Sequence, residues 1–331
     1  MTDRMDNKTK EIMAEINRVI MGKEEIIRKI LMTILSEGHV LLEDVPGVGK
    51  TTMALAFSKA LGLSYRRIQF TPDVMPSDVV GFYYYNKGKN EFSYRDGAVM
   101  TNLLLADEIN RTSSRTQSAL LEVMEEGQVT VDGICHKVPI PFFVIATQNP
   151  VGSAGTQTLP ESQLDRFMVK LSMGYPDLES EIALMSDRSN GNPLDEVRQI
   201  LSTEELLDMQ ETVSEIYVSP LIYRYIAMLA AATRKHELIT LGISPRGSIA
   251  LSKMAKASAY MSGRDYVIPD DVKYCLKDVF GHRLVLKSRV RLTSQNVGKI
   301  LDEICENVPV PGKEYLDQKK GNSTGIRRRK Q

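Results

Sequence analysis

His39-Val40-Leu41-Leu42-Glu43-Asp44-Val45-Pro46-Gly47-Val48-Gly49-Lys50-Thr51-Thr52 is the stretch on which the reading of the fold turns. A short apolar run, His39 to Leu42, enters a glycine-containing turn. It then passes into a segment where Met53, Ala56, Phe57, Ala60 and Leu61 recur three and four apart before Gly62. That order is strand, loop, helix. Glycines let such a loop wrap tightly, so that several N–H groups and the helix N-terminus converge on phosphate oxygens. Asp44, Val45, Pro46, Gly47, Val48, Gly49, Lys50, Thr51 and Thr52 are therefore the candidate nucleotide-binding residues. Lys50 is placed to reach the β- and γ-phosphates, and Thr51 to offer a hydroxyl to Mg²⁺, which prefers hard oxygen ligands. Asp44 stands where the general pattern has its first glycine, and an ordinary Gly/Pro loop is the competing reading. The rest of the chain has to decide between them.

Downstream, the apolar runs Tyr65 to Phe70, Asn102 to Ala106, Phe142 to Ala146 and Phe167 to Leu171 are short and apolar at consecutive positions. Such runs suit strands buried on both faces of a mostly parallel sheet. Ile26, Ile27, Ile30, Leu31, Ile34 and Leu35 mark a helix packed on it. The run from Asn102 delivers two adjacent carboxylates, Asp107 and Glu108, at its C-terminal end, where α/β sheets bind ligands. Asp107 is the candidate to hold Mg²⁺ through water, and Glu108 to polarise an attacking water. The run from Phe142 leads through Gln148 to Asn149, an amide suited to bonding both a γ-phosphate and that water. Arg166 lies just ahead of the fifth run, and Arg246 follows Ser244-Pro245 in the first turn of a helix. Either guanidinium matches phosphate, and an arginine offered to a neighbouring subunit's site can stabilise transition-state charge. Neither has an obvious carboxylate partner nearby in the sequence.

Two hairpin signals interrupt the α/β pattern and look like insertions. Phe82 to Tyr94 flanks a polar turn at Asn86 to Asn90, and Gln128 to Pro141 turns at Asp132-Gly133. After Tyr175-Pro176-Asp177 the pattern becomes helical, with a capping box at Ser202 and Glu205, caps at Ser219 and Ser244, and Thr293 before a last amphipathic run. A chain of 331 residues exceeds the length at which one core stops growing. The expected division is an α/β core over 1–176 with inserts near 71–98 and 127–141, a helical domain over 177–315, and a disordered basic tail over 316–331.

Lys+Arg and Asp+Glu are both 42, so no global field favours nucleic acid. Met1 to Lys10 is polar and no stretch reaches membrane-spanning length, which predicts a cytoplasmic protein without a transmembrane segment. Three distant cysteines, Cys135, Cys275 and Cys305, predict buried free thiols rather than disulfides, and the four histidines show no ligand spacing.

The chain closely resembles the MoxR family of AAA+ ATPases, of the helix-2-insert clade. The resemblance is carried by Ile68-Gln69-Phe70-Thr71-Pro72-Asp73 with Pro76-Ser77-Asp78, by Leu103 to Arg111, Thr116 to Glu122, Phe143 to Pro150, Leu159 to Phe167 and Ser244-Pro245-Arg246, and it spans roughly residues 10 to 312. It implies an αβα P-loop sandwich with parallel strand order 5-1-4-3-2, a C-terminal helical lid, and a Mg²⁺-dependent ATPase. By the same resemblance Lys50 and Thr51 are Walker A, Asp107 and Glu108 Walker B, Asn149 sensor 1, Arg166 the arginine finger and Arg246 sensor 2, while Ile20, Met21 and Gly22 line the adenine pocket. It further implies a homo-oligomeric ring, usually a hexamer, acting as a chaperone on a client protein, often with a von Willebrand factor A domain partner. Two readings of other classes compete: a magnesium-chelatase-like subunit for metal insertion, and a DNA-dependent motor. Thr112-Ser113-Ser114 and Tyr94-Arg95-Asp96-Gly97 depart from the family's usual proline-containing turns.

Overall fold

A computed structural model describes residues 2–43, 47–149, 159–187, 193–288 and 296–312. Asp44, Val45, Pro46, Thr293 and the basic tail lie outside the described residues. The chain divides into two compact units, residues 7–208 and residues 209–331 together with 1–6.

The first unit is built on five parallel strands, numbered here along the chain: β1 (Val40–Glu43), β2 (Tyr65–Gln69), β3 (Leu103–Asp107), β4 (Phe143–Gln148) and β5 (Val169–Leu171). They lie in the order β2-β3-β4-β1-β5, which read from the other edge is 5-1-4-3-2. The central strands β3 and β4 are buried at every position, as consecutive apolar residues require when both faces are covered. Both edges carry charge: Arg66 and Arg67 on β2, Lys170 on the three-residue β5. One face packs Leu41, Leu104, Ala106, Val144 and Ala146 against Leu120, Leu121 and Met124 of the helix Ser114–Glu126. The helices Glu24–Leu35 and Lys50–Ala60 bury Ile27, Ile30, Leu31, Met53, Ala56 and Phe57 completely.

The predicted hairpins are present as Gly81–Asn86 paired with Glu91–Asp96 and Gln128–Val131 paired with Ile134–Lys137. Asp132 and Gly133 both take positive φ, as a tight two-residue turn demands. The hairpins are joined by His136, whose ring stacks on Tyr94 at 3.9 Å between centroids and lies 3.1 Å from the Tyr83 hydroxyl.

The five-stranded sheet ends at Leu171, yet residues 193–208 stay with the α/β unit. Lys59 Nζ donates to the Leu194 carbonyl at 2.7 Å, Ile200 N–H donates to the Ala60 carbonyl at 2.8 Å, and the buried Glu15 accepts from Arg198 N–H at 2.9 Å. The second unit packs helices Pro220–Lys235, Pro245–Met261, Pro269–Phe280 and Val297–Asn307. It also holds a two-stranded ribbon, Ile239–Leu241 with Val285–Leu286, so the all-helical expectation is corrected; strands this short carry no readable alternation. The predicted caps form at Ser202, Ser219 and Ser244, and Asn296 caps the last helix by accepting from Lys299 N–H at 2.9 Å. Cys275 is buried, but Cys135 is exposed, because its strand belongs to an insert rather than to the core. Among the described residues no helix is long and apolar enough to cross a membrane.

Candidate functional site

Among the described candidates, Gly47 to Thr52 follow β1, while Asp107, Glu108 and Asn149 lie at the C-terminal ends of β3 and β4. Beyond β1, Gly47 and Gly49 have φ of 88° and 93°, a region that side chains rarely adopt. Gly49 is the N-cap of Lys50–Ala60, so the backbone turns sharply into the helix and leaves its first N–H groups outward. Lys50 opens that helix and is only 8% exposed. A helix N-terminus of this kind favours an anion such as phosphate. Thr51 and Thr52 follow in the first turn, both half-buried.

Two strands away, Asp107 ends β3. Its Oδ1 accepts from the Thr147 hydroxyl at 2.6 Å, and its Oδ2 accepts from Arg67 Nη2 at 2.7 Å. Glu108 follows with φ 56°, a left-handed backbone that a non-glycine residue adopts at some cost. Its N–H donates to Thr147 Oγ1 at 2.8 Å, its Oε1 accepts from Asn149 Nδ2 at 3.1 Å, and its Oε2 accepts from Arg111 Nη1 at 2.7 Å. The amide of Asn149 thus holds the carboxylate of Glu108, while Asn149 Oδ1 is buried and accepts no bond from any described residue. The turn after Glu108 is fixed from both sides. Asn110 Nδ2 donates to the Asn149 carbonyl at 3.1 Å, and the buried Gln117 amide donates to the carbonyls of Ile109 and Thr112. Ser113 caps the helix Ser114–Glu126, so the departure from a proline turn still ends in a capped helix.

Arg166 is placed differently from expectation. Its Nη1 donates to Glu125 Oε2 at 2.5 Å and to the Leu121 carbonyl at 2.8 Å, so it does have a carboxylate partner in its own chain. The helix Ser114–Glu126 delivers that partner from 41 residues upstream, beyond the reach of local sequence inspection. Arg246 is exposed in the first turn of Pro245–Met261, in the second unit. Ile20 is buried and Met21 half-buried; Gly22 has φ 67°, and a Cβ there would come within 2.3 Å of Ser180 Oγ, so close packing accounts for this glycine.

Thr147, Arg67 and Arg111 are the site residues that the sequence reading missed. Thr147 is the hydroxyl interrupting an apolar strand, and the parallel register of β3 with β4 carries it beside Asp107. Arg67 is two residues before Gln69, which pairs in register with Asp107. Arg111 is one helical turn from Glu108.

The match to known proteins agrees with this geometry. The profile described as ATPase family associated with various cellular activities (AAA) matches residues 39–169, and that of the AAA lid domain matches residues 231–304. The chaperone MoxR1 of Mycobacterium tuberculosis is 40% identical over 306 residues, covering 90% of this chain and 81% of that protein. The chain belongs to the MoxR family of AAA+ ATPases. Within this family, YeaC of Bacillus subtilis is 48% identical over 296 residues, 89% of this chain and 92% of that protein. A crystal structure from Cytophaga hutchinsonii superposes with a TM-score of 0.88 at 38% identity, covering 94% of this MoxR-family chain and 97% of its own.

The donor set fits Mg²⁺ with a nucleotide. Among the described residues no group of three or more His, Cys, Asp or Glu side chains could cage a metal. Thr51 and Asp107 offer hard oxygens of the kind Mg²⁺ uses alongside phosphate and water.

Proposed function

We propose that this protein binds ATP with Mg²⁺ and hydrolyses it, and that it does so as a homo-oligomeric ring, a hexamer by family resemblance, that remodels a client protein. The observation carrying the hydrolytic reading is the hydrogen bond from Asn149 Nδ2 to Glu108 Oε1, one strand away from the glycine turn. It aims a carboxylate and leaves an amide oxygen beside it for a second hydrogen-bond donor. Water held by Asn149 Oδ1 and Glu108 gives its proton to Glu108 as its oxygen attacks the γ-phosphorus. The bond to the β,γ-bridging oxygen breaks, and ADP and phosphate leave. Mg²⁺, where bound near Thr51 and Asp107, neutralises phosphate charge. Gly47 to Thr52 bind the phosphates with Asp44 to Pro46 completing the loop, and Ile20, Met21 and Gly22 serve the adenine side.

Arg166 and Arg246 are assigned to a shared site and to nucleotide sensing. The client surface is assigned to the first insert, where Phe82, Tyr84, Tyr85 and Phe92 show aromatic area to solvent, Phe92 at 71%. A chaperone-named relative supports the client-remodelling reading.

Phosphate release by the purified protein with Mg²⁺ and ATP is the test. Glu108→Gln should retain nucleotide binding and lose at least ~100-fold in turnover, and Lys50→Ala should lose binding itself. Normal turnover in Glu108→Gln would remove the role given to that carboxylate.

A further inference from the structure

Alternation along β2 puts Tyr65, Arg67 and Gln69 on one face, in register with Leu103, Leu105 and Asp107 of β3. Arg67 Nη2 donates to Gln69 Oε1 at 2.8 Å and to Asp107 Oδ2 at 2.7 Å, while Thr147 donates to the other oxygen of Asp107 at 2.6 Å. Both oxygens of the carboxylate given above to Mg²⁺ therefore already accept a bond from this chain. One of those bonds comes from a permanent positive charge, since a guanidinium does not deprotonate. The Asp107 side chain is 12% exposed and that of Arg67 is 45% exposed, so the acid is fixed and largely withdrawn from water, while the base can swing away.

We infer that Arg67 is a resident counter-cation at Asp107: it neutralises the carboxylate when no metal is bound and competes with the divalent ion for it, so that it sets the affinity for Mg²⁺. This rests on the nucleotide reading of the site. A dication approaching Asp107 meets the guanidinium as a like charge, and the two cannot both take full advantage of one carboxylate. Without Arg67 the acid keeps, among the described residues, a neutral hydroxyl as its side-chain partner and is poorly compensated. Removing Arg67 consequently has two effects of opposite sign, a less stable metal-free protein and tighter divalent-ion binding. A guanidinium that only braces the strand predicts loss of both.

The full-length protein and Arg67→Gln are compared by thermal melting in chelator, and by fluorescence anisotropy of a labelled non-hydrolysable ATP analogue titrated with Mg²⁺. The expected result is a lower melting temperature in chelator together with a several-fold lower half-saturating Mg²⁺ concentration. Half-saturation that is unchanged or raised overturns the inference. Arg67→Lys, which keeps the charge without the fork spanning Gln69 and Asp107, should fall between the two. If Arg67→Gln does not fold, an unchanged or raised half-saturation in Arg67→Lys overturns the inference equally. Wild-type protein that binds the analogue without any Mg²⁺ dependence defeats the magnesium reading itself, and the inference with it, a result distinct from the others.

Discussion

Thr147 is fully buried and serves two neighbours at once, donating to the Asp107 carboxylate and accepting from the Glu108 N–H. Thr147→Val keeps the shape but removes the bond to Asp107 Oδ1, whose carboxylate keeps Arg67, and leaves the Glu108 N–H without its partner; a buried polar group left unpaired costs roughly 1–3 kcal/mol. Denaturant melting should show a loss of that order, and ATP turnover should fall with it. His39 is a second buried polar residue with two bonds. It lies 2.9 Å from the Met124 carbonyl through Nε2, and its Nδ1 accepts from Val144 N–H at 3.0 Å, which together require the neutral ring. Burial is the leading cause that pulls its pKa down to about 4, against a partial rise from the Met124 carbonyl. A depressed histidine contributes stability that is complete above the unfolded value near 6.5 and is lost as pH falls towards 4. The chain should therefore lose about 3 kcal/mol across that window, from the unfolded state's preferential protonation. His39→Gln should flatten the slope, as read from urea midpoints at several pH values.

Among elements, the strands were legible because apolar runs of this length have few alternatives. The runs beginning at Asn102 and Phe142 became β3 and β4, and the turn at Asp132-Gly133 placed the second hairpin. What stayed hidden is what only register creates. Arg67 meets Asp107 from 40 positions away, and Arg166 meets Glu125 from 41, through pairing and packing that no local pattern encodes. The candidate acids and Asn149 were readable from chemistry at strand ends, whereas their partners were not. The join between the inserts belongs here too. His136 stacks on Tyr94 and lies within hydrogen-bond distance of the Tyr83 hydroxyl, so the hairpins share a stacked ring and a hydrogen bond. His136→Ala should raise amide exchange in both hairpins, 81–96 and 128–137, while leaving the melting temperature of the sheet almost unchanged, because neither hairpin pairs with the five-stranded sheet.

For the whole molecule, the Glu125 contact gives the shared-site proposal a sharper form. Arg166 is held in place by the helix Ser114–Glu126 of its own chain while its side chain remains 31% exposed, an arrangement that presents a guanidinium rather than letting it wander. If neighbours complete each other's sites, Arg166→Ala and Glu108→Gln proteins should each be nearly inactive alone, yet recover turnover when mixed and reassembled. A Glu108→Gln subunit still offers its arginine, and an Arg166→Ala subunit still has its base. Mixtures that stay at the activity of the separate variants would overturn the shared site.

The rims of the sheet have a bearing on such assembly. One rim strand runs Tyr-Arg-Arg-Ile-Gln and the other is three residues long with Lys170 at its centre. Charged, short borders discourage another chain from extending the ladder by main-chain pairing. Copies of this protein are thereby steered away from fibrous, strand-to-strand growth, and any closed assembly must be specified by side chains meeting across subunits, where a single substitution can tune or abolish it.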